Sequence, residues 1–390
     1  MKLAARMGRI GESATLALTR RVKELQAGGR EILDLGAGEP DFDSPRVAVE
    51  AAARALREGF TRYTENAGTL ELRRALAERF KSRHGSPWGP GQVVVTVGAK
   101  AGLFELAMAL LERGREFVVH SPCWVSFPEQ ARFAGAEPIP VETAAKDGFR
   151  IRAEPFLERI GPRTAAVLIN SPCNPTGGVI SAADLRRIVE ACARVGAVLV
   201  YDETYERFVY DGVEHASAAA LAAEFPDTIA LVGSFSKTYA MTGWRLGYVL
   251  GPQPLIQAAA AIQSHMTSNP TSFAMRGACA ALCEAEPDVK AMIAEYAARR
   301  ELLVPRLNRI PGFACAPPAG AFYAFPNVAG CFRDGRRGSL ELCEYLLDRA
   351  GVAIVPGSAF GADDHVRISF AASRQILAEA LDRIEEAVRV

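Results

Sequence analysis

The chain has 390 residues, 49% of them hydrophobic and 23% charged, with 45 basic residues balancing 45 acidic ones. That length suits two domains and that composition a buried core. Zero formal net charge provides no overall field that would draw the chain to nucleic acid or to an anionic membrane, and no run approaches the ~18 apolar residues of a membrane span.

The eight cysteines are scattered, form no CxxC pair and have no histidine at metal-ligand spacing, so they predict reduced thiols and a cytoplasmic location rather than a disulfide framework or a metal site. The segment Met1–Leu18 contains Glu12 and lacks a continuous apolar stretch, which is not the pattern of a signal peptide.

From residue 93 onward, apolar β-type runs alternate with helical ones. Strands are predicted at Val93–Val97, Phe117–His120, Ala165–Asn170, Ala197–Tyr201, Ile229–Val232 and Leu246–Leu250, and helices at Leu103–Leu111 and Ala183–Val195. Strands apolar on both faces, separated by helices, predict an α/β unit with a largely parallel sheet between helix layers. Farther on, a long helical pattern at Asp288–Leu307, strands at Ala321–Phe325 and Val366–Ser369, and a helix at Ile376–Val390 predict a smaller α/β unit joined by the N-terminal segment. The expected division is 45–289 for the large domain, with 1–44 and 290–390 forming the small one.

In α/β sheets ligands sit just beyond the strand ends. The residues found there are Gly98-Ala99-Lys100, then Ser121-Pro122-Cys123-Trp124, then Ser171-Pro172-Cys173-Asn174-Pro175-Thr176-Gly177-Gly178, then Asp202-Glu203-Thr204-Tyr205, then Gly233-Ser234-Phe235-Ser236-Lys237, with Gly243-Trp244-Arg245 beyond. Together they suit a phosphorylated aromatic cofactor. Gly98 opens a helix N-terminus toward an anion, Ser234 and Ser236 offer hydroxyls, Arg245 offers a fork for phosphate, and Trp124 offers a ring to stack on. Asp202 ends a buried strand and would pair with a protonated ring nitrogen. Lys237, one of few lysines among mostly arginine cations, sits where desolvation and cationic neighbours lower an amine's pKa and make it nucleophilic toward aldehydes. Taken singly each feature also has a plain structural reading: Asn174-Pro175-Thr176-Gly177 as a β-turn, Asp202 as a helix cap, Trp124 as core.

The ordered set resembles the class I/II aminotransferases of fold type I, which depend on pyridoxal 5′-phosphate (PLP), in their bacterial aspartate aminotransferase-like branch. The resemblance runs nearly end to end through Ser13-Ala14-Thr15, Gly38-Glu39-Pro40-Asp41-Phe42, Tyr63, Val97-Gly98-Ala99-Lys100, Trp124, Asn174-Pro175-Thr176-Gly177, Asp202-Glu203 with Tyr205, Ser234-Phe235-Ser236-Lys237, Gly243-Trp244-Arg245, Ser268-Asn269-Pro270, Gly320-Ala321-Phe322-Tyr323, Val355-Pro356-Gly357 and Arg367-Ile368-Ser369-Phe370. It implies an α/β fold with a mostly parallel, seven-stranded-type sheet plus a smaller α/β domain.

The resemblance also implies roles. Lys237 holds PLP as an aldimine and, once freed, moves the proton between substrate Cα and cofactor C4′; Asp202 keeps the pyridine nitrogen protonated; Tyr205 and Asn174 bond the 3′-oxygen; Trp124 stacks on the ring. The backbone of Ala99 and Lys100, the hydroxyls of Ser234 and Ser236, and Arg245 hold the phosphate, with Tyr63 reaching the phosphate of a neighbouring subunit in a homodimer. Arg367 takes the substrate α-carboxylate with help from Asn174 and the backbone at Gly38, and the small domain closes over it.

Lys100 and Thr15 occupy positions associated with acidic substrates. The arginine that better-known aspartate enzymes use would fall near Ser264 and is missing. His265-Met266 and Thr64-Glu65-Asn66 also depart from the usual pattern, and Gly11 stands where prephenate-accepting relatives tend to carry Lys. The expected reaction is therefore ping-pong transfer between aspartate, or another dicarboxylic amino acid, and a 2-oxo acid such as 2-oxoglutarate. A neutral or aromatic aminotransferase and a PLP-dependent C–S β-lyase are the alternatives. A PLP-sensing regulator is disfavoured because the motifs begin by Ser13, and a dinucleotide-binding dehydrogenase because no GxGxxG follows an early strand.

Overall fold

Successive side chains of a strand point to opposite faces, and the valine run at 93–95 shows how that builds this protein: Val93 and Val95 enter one apolar cluster and Val94 another. The same alternation divides Val167 and Ile169 from Leu168, and Leu199 and Tyr201 from Val200. Each fully buried side chain of this size contributes about 1.5–3 kcal/mol, so these strands are stable only with helices on both sides.

The computed structural model describes residues 1–390 apart from 2, 5, 6, 9, 10, 12, 13, 334 and 390, and apart from the side chains of 14–16. In chain order its strands are β1 (Leu33–Asp34), β2 (Val93–Thr96), β3 (Glu116–Ser121), β4 (Glu137–Glu142), β5 (Thr164–Asn170), β6 (Val198–Asp202), β7 (Ile229–Ser234), β8 (Gly247–Leu250), β9 (Tyr323–Ala324), β10 (Val352–Ala353), β11 (Val355–Pro356) and β12 (Val366–Ser369). A seven-stranded sheet has the order β2-β8-β7-β6-β5-β3-β4. Neighbours are parallel except at β8, which runs antiparallel to both β2 and β7.

β4 is a strand that the apolar pattern does not announce. Pro138 and Pro140 interrupt it and only Val141 is buried; it lies at the sheet edge, where proline's missing N–H costs no ladder bond. The helix that Gly98 is expected to open starts at Ala99, because Gly98 turns the chain with φ 78° and frees it to coil at once.

A third apolar cluster joins Phe322, Tyr323, Ile368, Phe370, Leu342 and Leu381. It is enclosed by the helices Glu286–Leu307, Ser339–Arg349 and Arg374–Arg389 with the small antiparallel sheet β11-β12-β9. β1, from the N-terminal segment, pairs in parallel with β10, and Tyr205 and Phe208 from the loop after β6 pack into the same cluster. Among the described residues no helix is long and apolar enough to cross a membrane.

One buried group makes stability depend on pH. Glu105, in the helix Ala99–Leu110, has no exposed surface, and among the described residues neither carboxylate oxygen accepts a hydrogen bond. Burial pushes its carboxyl up from 4.5 to about 8. The folded form therefore keeps a proton that the unfolded chain releases near 4.5. The associated stability is fully present below 4.5 and is lost as pH rises toward 8, by up to ~1.4 kcal/mol per pH unit. Glu105→Gln is expected to flatten that slope, read as the denaturation midpoint measured from pH 5 to 8 in both proteins; parallel slopes would refute it.

Candidate active site

Because β8 is antiparallel, residues that precede it arrive at the same sheet edge as residues that come after the parallel strands. Thr96 and Ser234 stand opposite Gly247, and Asn170 stands opposite Asp202. A cavity of about 500 Å³ opens over this edge, lined among others by Ala99, Lys100, Trp124, Asn174, Asp202, Tyr205, Ser234, Ser236, Lys237, Arg245 and Arg367. Each strand end singled out in the sequence thus contributes at least one residue to this chamber.

One end of the chamber is an anion cradle. The first amides of the helix Ala99–Leu110 have no carbonyl to bond within the helix and sit at its positive end. A Cβ on Gly98 would come within 2.5 Å of Arg245 Nη2, and one on Gly247 would clash with the Ala99 nitrogen, so both glycines are required for the guanidinium and the helix end to pack together. Arg245 Nη1 donates to the Thr242 carbonyl at 2.8 Å, which aims the fork. The Ser234 hydroxyl accepts from the Ser236 amide at 3.0 Å, capping the short helix Phe235–Thr238 that carries Lys237.

The middle of the chamber suits a flat cationic ring. Trp124 forms a wall, braced edge-on by Phe127 at 5.4 Å. Asp202 is buried, and its Oδ1 accepts from the Thr204 amide at 3.0 Å. Burial pushes its carboxyl up to about 6, against the Thr204 hydrogen bonds and the Lys237 charge, so at neutral pH a carboxylate faces the cavity. Lys237 Nζ donates to the Gly38 carbonyl. Burial is the largest influence on its ammonium, which is lowered to about 8; Arg367, Arg245 and Lys100 add to that and Glu39 opposes it.

The other end fits a carboxylate. Arg367 is 3% exposed, its Nη1 donates to Asn174 Oδ1 at 3.0 Å and its Nη2 to the Gly36 carbonyl at 2.7 Å. A guanidinium has five N–H donors. These two bonds leave others for a ligand, including the buried Nε, which has no partner among the described residues. Gly38 lies beside Arg367, since a Cβ on it would be 4.0 Å from Arg367 Nη2; its carbonyl accepts from Lys237, and it lines the same cavity.

Three other expected residues remain: Lys100, Tyr63 and Thr15. Lys100 lines the cavity with its Nζ 4.8 Å from the centre of the Trp124 ring. Burial, and then the Arg245 charge, lower its pKa. Tyr63 is 87% exposed and does not line the cavity of its own chain. The side chain of Thr15 lies outside the described residues.

Sequence reasoning passed over three participants. Asn170 accepts from the Asn174 amide at 2.9 Å and donates to the Asp202 carbonyl at 3.2 Å, tying two site loops together; a polar residue closing a fully apolar strand was its signal. His120 accepts from the Asn170 amide through Nε2 at 3.1 Å, so Nδ1 carries the proton toward the Pro122 carbonyl at 3.0 Å. Burial holds it down at about 4, neutral at physiological pH. Tyr323, seen only as part of a motif, contacts both Tyr205 and Arg367.

Residues 30–384 match the family model of aminotransferase class I and II. The chain belongs to the class I and II aminotransferases. This aminotransferase is 42% identical over 390 residues to an aspartate aminotransferase of Geobacillus stearothermophilus, covering 98% of each chain. It is 42% identical to a probable aspartate/prephenate aminotransferase of Aquifex aeolicus, over 99% of this chain and 98% of that one. The solved aspartate aminotransferase from Thermus thermophilus with maleate superimposes with a TM-score of 0.94 at 39% identity, covering 99% of this chain and 100% of that one.

The protein is thus a PLP-dependent transferase with the fold type I architecture. The chamber fits the cofactor on its own evidence: a helix-end cradle that a Cβ at Gly98 would fill, and a buried carboxylate at Asp202 that forms no salt bridge among the described residues and awaits a cationic ring.

Proposed function

We propose that the enzyme moves an amino group between aspartate, or another dicarboxylic amino acid, and a 2-oxo acid such as 2-oxoglutarate. The observation that carries this reading is that Lys100 and Arg367 line one cavity together with Lys237, so each carboxylate of a four- or five-carbon substrate finds a cation. The names of the relatives at about 40% identity over the full chain point the same way.

In this reading Ala99 and Lys100 amides, Ser234, Ser236 and Arg245 hold the phosphate of PLP. Asp202 stabilises the protonated pyridine nitrogen, Asn174 and Tyr205 bond the ring oxygen, and Trp124 covers one face. When bound, the cofactor supplies an electron sink beside the substrate Cα. Arg367, oriented by Asn174 and Gly36, takes the α-carboxylate and so presents Cα to Lys237. Lys237, neutral once above about pH 8 and closer to neutrality than an ordinary lysine below it, is placed to accept the Cα proton and to hand it on. The small domain, 1–44 with 290–390, carries Arg367 and closes over the substrate, excluding water. Tyr63, exposed in the single chain, reaches the neighbouring phosphate in a homodimer. Eight free cysteines agree with a cytoplasmic setting.

The test is the ratio of kcat/KM for aspartate over alanine in wild type and in Lys100→Ser. A hydrogen bond to a charged group is worth about 1.5–3 kcal/mol. The variant should therefore lose roughly 10–150-fold with aspartate and little with alanine. Equal losses for both substrates would assign Lys100 to the phosphate instead, and a wild type that already prefers alanine or phenylalanine would overturn the acidic-substrate reading.

A further inference from the structure

Tyr323 has no surface exposed and belongs to neither the ring wall nor the phosphate cradle. It lies on β9, paired so that it stands opposite Ser369 of β12. Arg367 is two residues earlier on β12, hence a diagonal neighbour on the same face of the sheet. Its guanidinium lies 4.5 Å from the centre of the Tyr323 ring, with Phe360 at 5.1 Å as a second aromatic neighbour. The Tyr323 hydroxyl is 2.9 Å from that of Tyr205, which arrives from the large sheet. The N-terminal segment closes on the same hydroxyl: a Cβ on Gly38 would sit 3.2 Å from it. One side chain thus touches the carboxylate-binding arginine, the tyrosine beside the cofactor ring and the strap whose carbonyl receives Lys237.

We propose that Tyr323 is a positioning residue that serves both ends of the site, its ring seating the Arg367 guanidinium and its hydroxyl donating to Tyr205 so that the single Tyr205 proton is directed at the cofactor's ring oxygen. The inference rests on the roles of Arg367 and Tyr205 in the proposed function. A phenol has one proton to donate and lone pairs with which to accept. If Tyr205 gives its proton to the ring oxygen, the 2.9 Å contact can be satisfied only by Tyr323 donating, and a chain of hydroxyls running one way polarises each member. Burial holds both phenols above their usual pKa, so both protons are present at working pH. The aromatic face beneath a buried guanidinium holds it flat and lowers the cost of keeping it without an anion.

The experiment uses the PLP-loaded enzyme and four variants: Tyr323→Phe, Tyr323→Leu, Tyr205→Phe and the Tyr205→Phe/Tyr323→Phe double. Tyr323→Phe keeps the ring and removes the hydroxyl; Tyr323→Leu removes both. A donor at the ring oxygen lowers the proton affinity of the bound chromophore. Tyr323→Phe should therefore raise the pH midpoint of its visible absorbance, measured without substrate, by about 0.5–1 unit. In a Tyr205→Phe background the same substitution should add no shift, since its route is gone. Succinate, an unreactive dicarboxylate, should bind Tyr323→Phe within about threefold of wild type and Tyr323→Leu about tenfold more weakly. With amino acid substrate, Tyr323→Phe should lower kcat with KM nearly kept, and Tyr323→Leu should raise KM as well.

An unmoved midpoint in Tyr323→Phe, or a shift that persists without the Tyr205 hydroxyl, overturns the donor role. Undiminished succinate binding in Tyr323→Leu overturns the seating role. If wild type binds succinate no better than butyrate, the dicarboxylic reading fails, while the titration still decides for or against Tyr323.

Discussion

Lys237→Ala is expected to keep PLP without a covalent link and to lose at least about 10⁴-fold in kcat, because nucleophile and proton carrier vanish together. The lysine sits on a short helix capped by Ser234, its Nζ against the Gly38 carbonyl, and burial with three nearby arginine and lysine charges brings it down to about 8. An amine elsewhere on the chamber wall would not meet the same groups. Borohydride reduction of the yellow wild-type enzyme should fix the cofactor to the peptide carrying Lys237. Label on the peptide of Lys100, which also lines the chamber, would move the catalytic assignment.

Asp202→Asn is expected to lower kcat by roughly 10²–10⁴-fold, the equivalent of the 3–5 kcal/mol typical for breaking a buried ion pair. Asparagine preserves shape and can still accept from the Thr204 amide, which holds Asp202 Oδ1 at 3.0 Å, but it leaves the ring nitrogen without a counter-charge. The cofactor-free variant should fold as well as wild type or better, since a buried carboxylate with a pKa raised to about 6 is removed. Near wild-type turnover in a correctly folded, PLP-loaded variant would make Asp202 a structural residue only.

Much of the large sheet is legible in the sequence because its strands are buried on both faces and must be apolar throughout. Val93–Thr96, Thr164–Asn170 and Ile229–Ser234 contain no exposed position, and Gly, Ser, Asn and Asp mark where each run ends. β4 escaped that logic because an edge strand with two prolines carries almost no apolar pattern. The short strands β9 and β12 were legible, at Ala321–Phe325 and Val366–Ser369, whereas the two-residue β11 was not.

The cofactor chemistry was legible for the same reason. Lys237, Asp202, Asn174 and Gly98 stand at or just beyond strand ends, and in a parallel sheet the C-terminal ends of the strands form the ligand-binding edge. Arg245 was different: it precedes its strand, and only the antiparallel course of β8 brings it to that edge, beside Gly98. Arg367 was placed by resemblance alone, since nothing local in Val366–Ser369 says that the strand will meet Asn174, 193 residues away.

The sequence by itself therefore determined which strands are buried, where they stop, and which reactive side chains stand at those stops, because burial and turn formation are local demands on residue type. The tertiary structure decided the rest. It placed the Gly38 carbonyl against Lys237, set Asn170 and His120 behind the site loops, and brought Tyr323 between Arg367 and Tyr205. Each of these is a contact between segments far apart in the chain, chosen by how two cores and one N-terminal strap pack together, and side-chain packing of that kind leaves no period or spacing in a sequence.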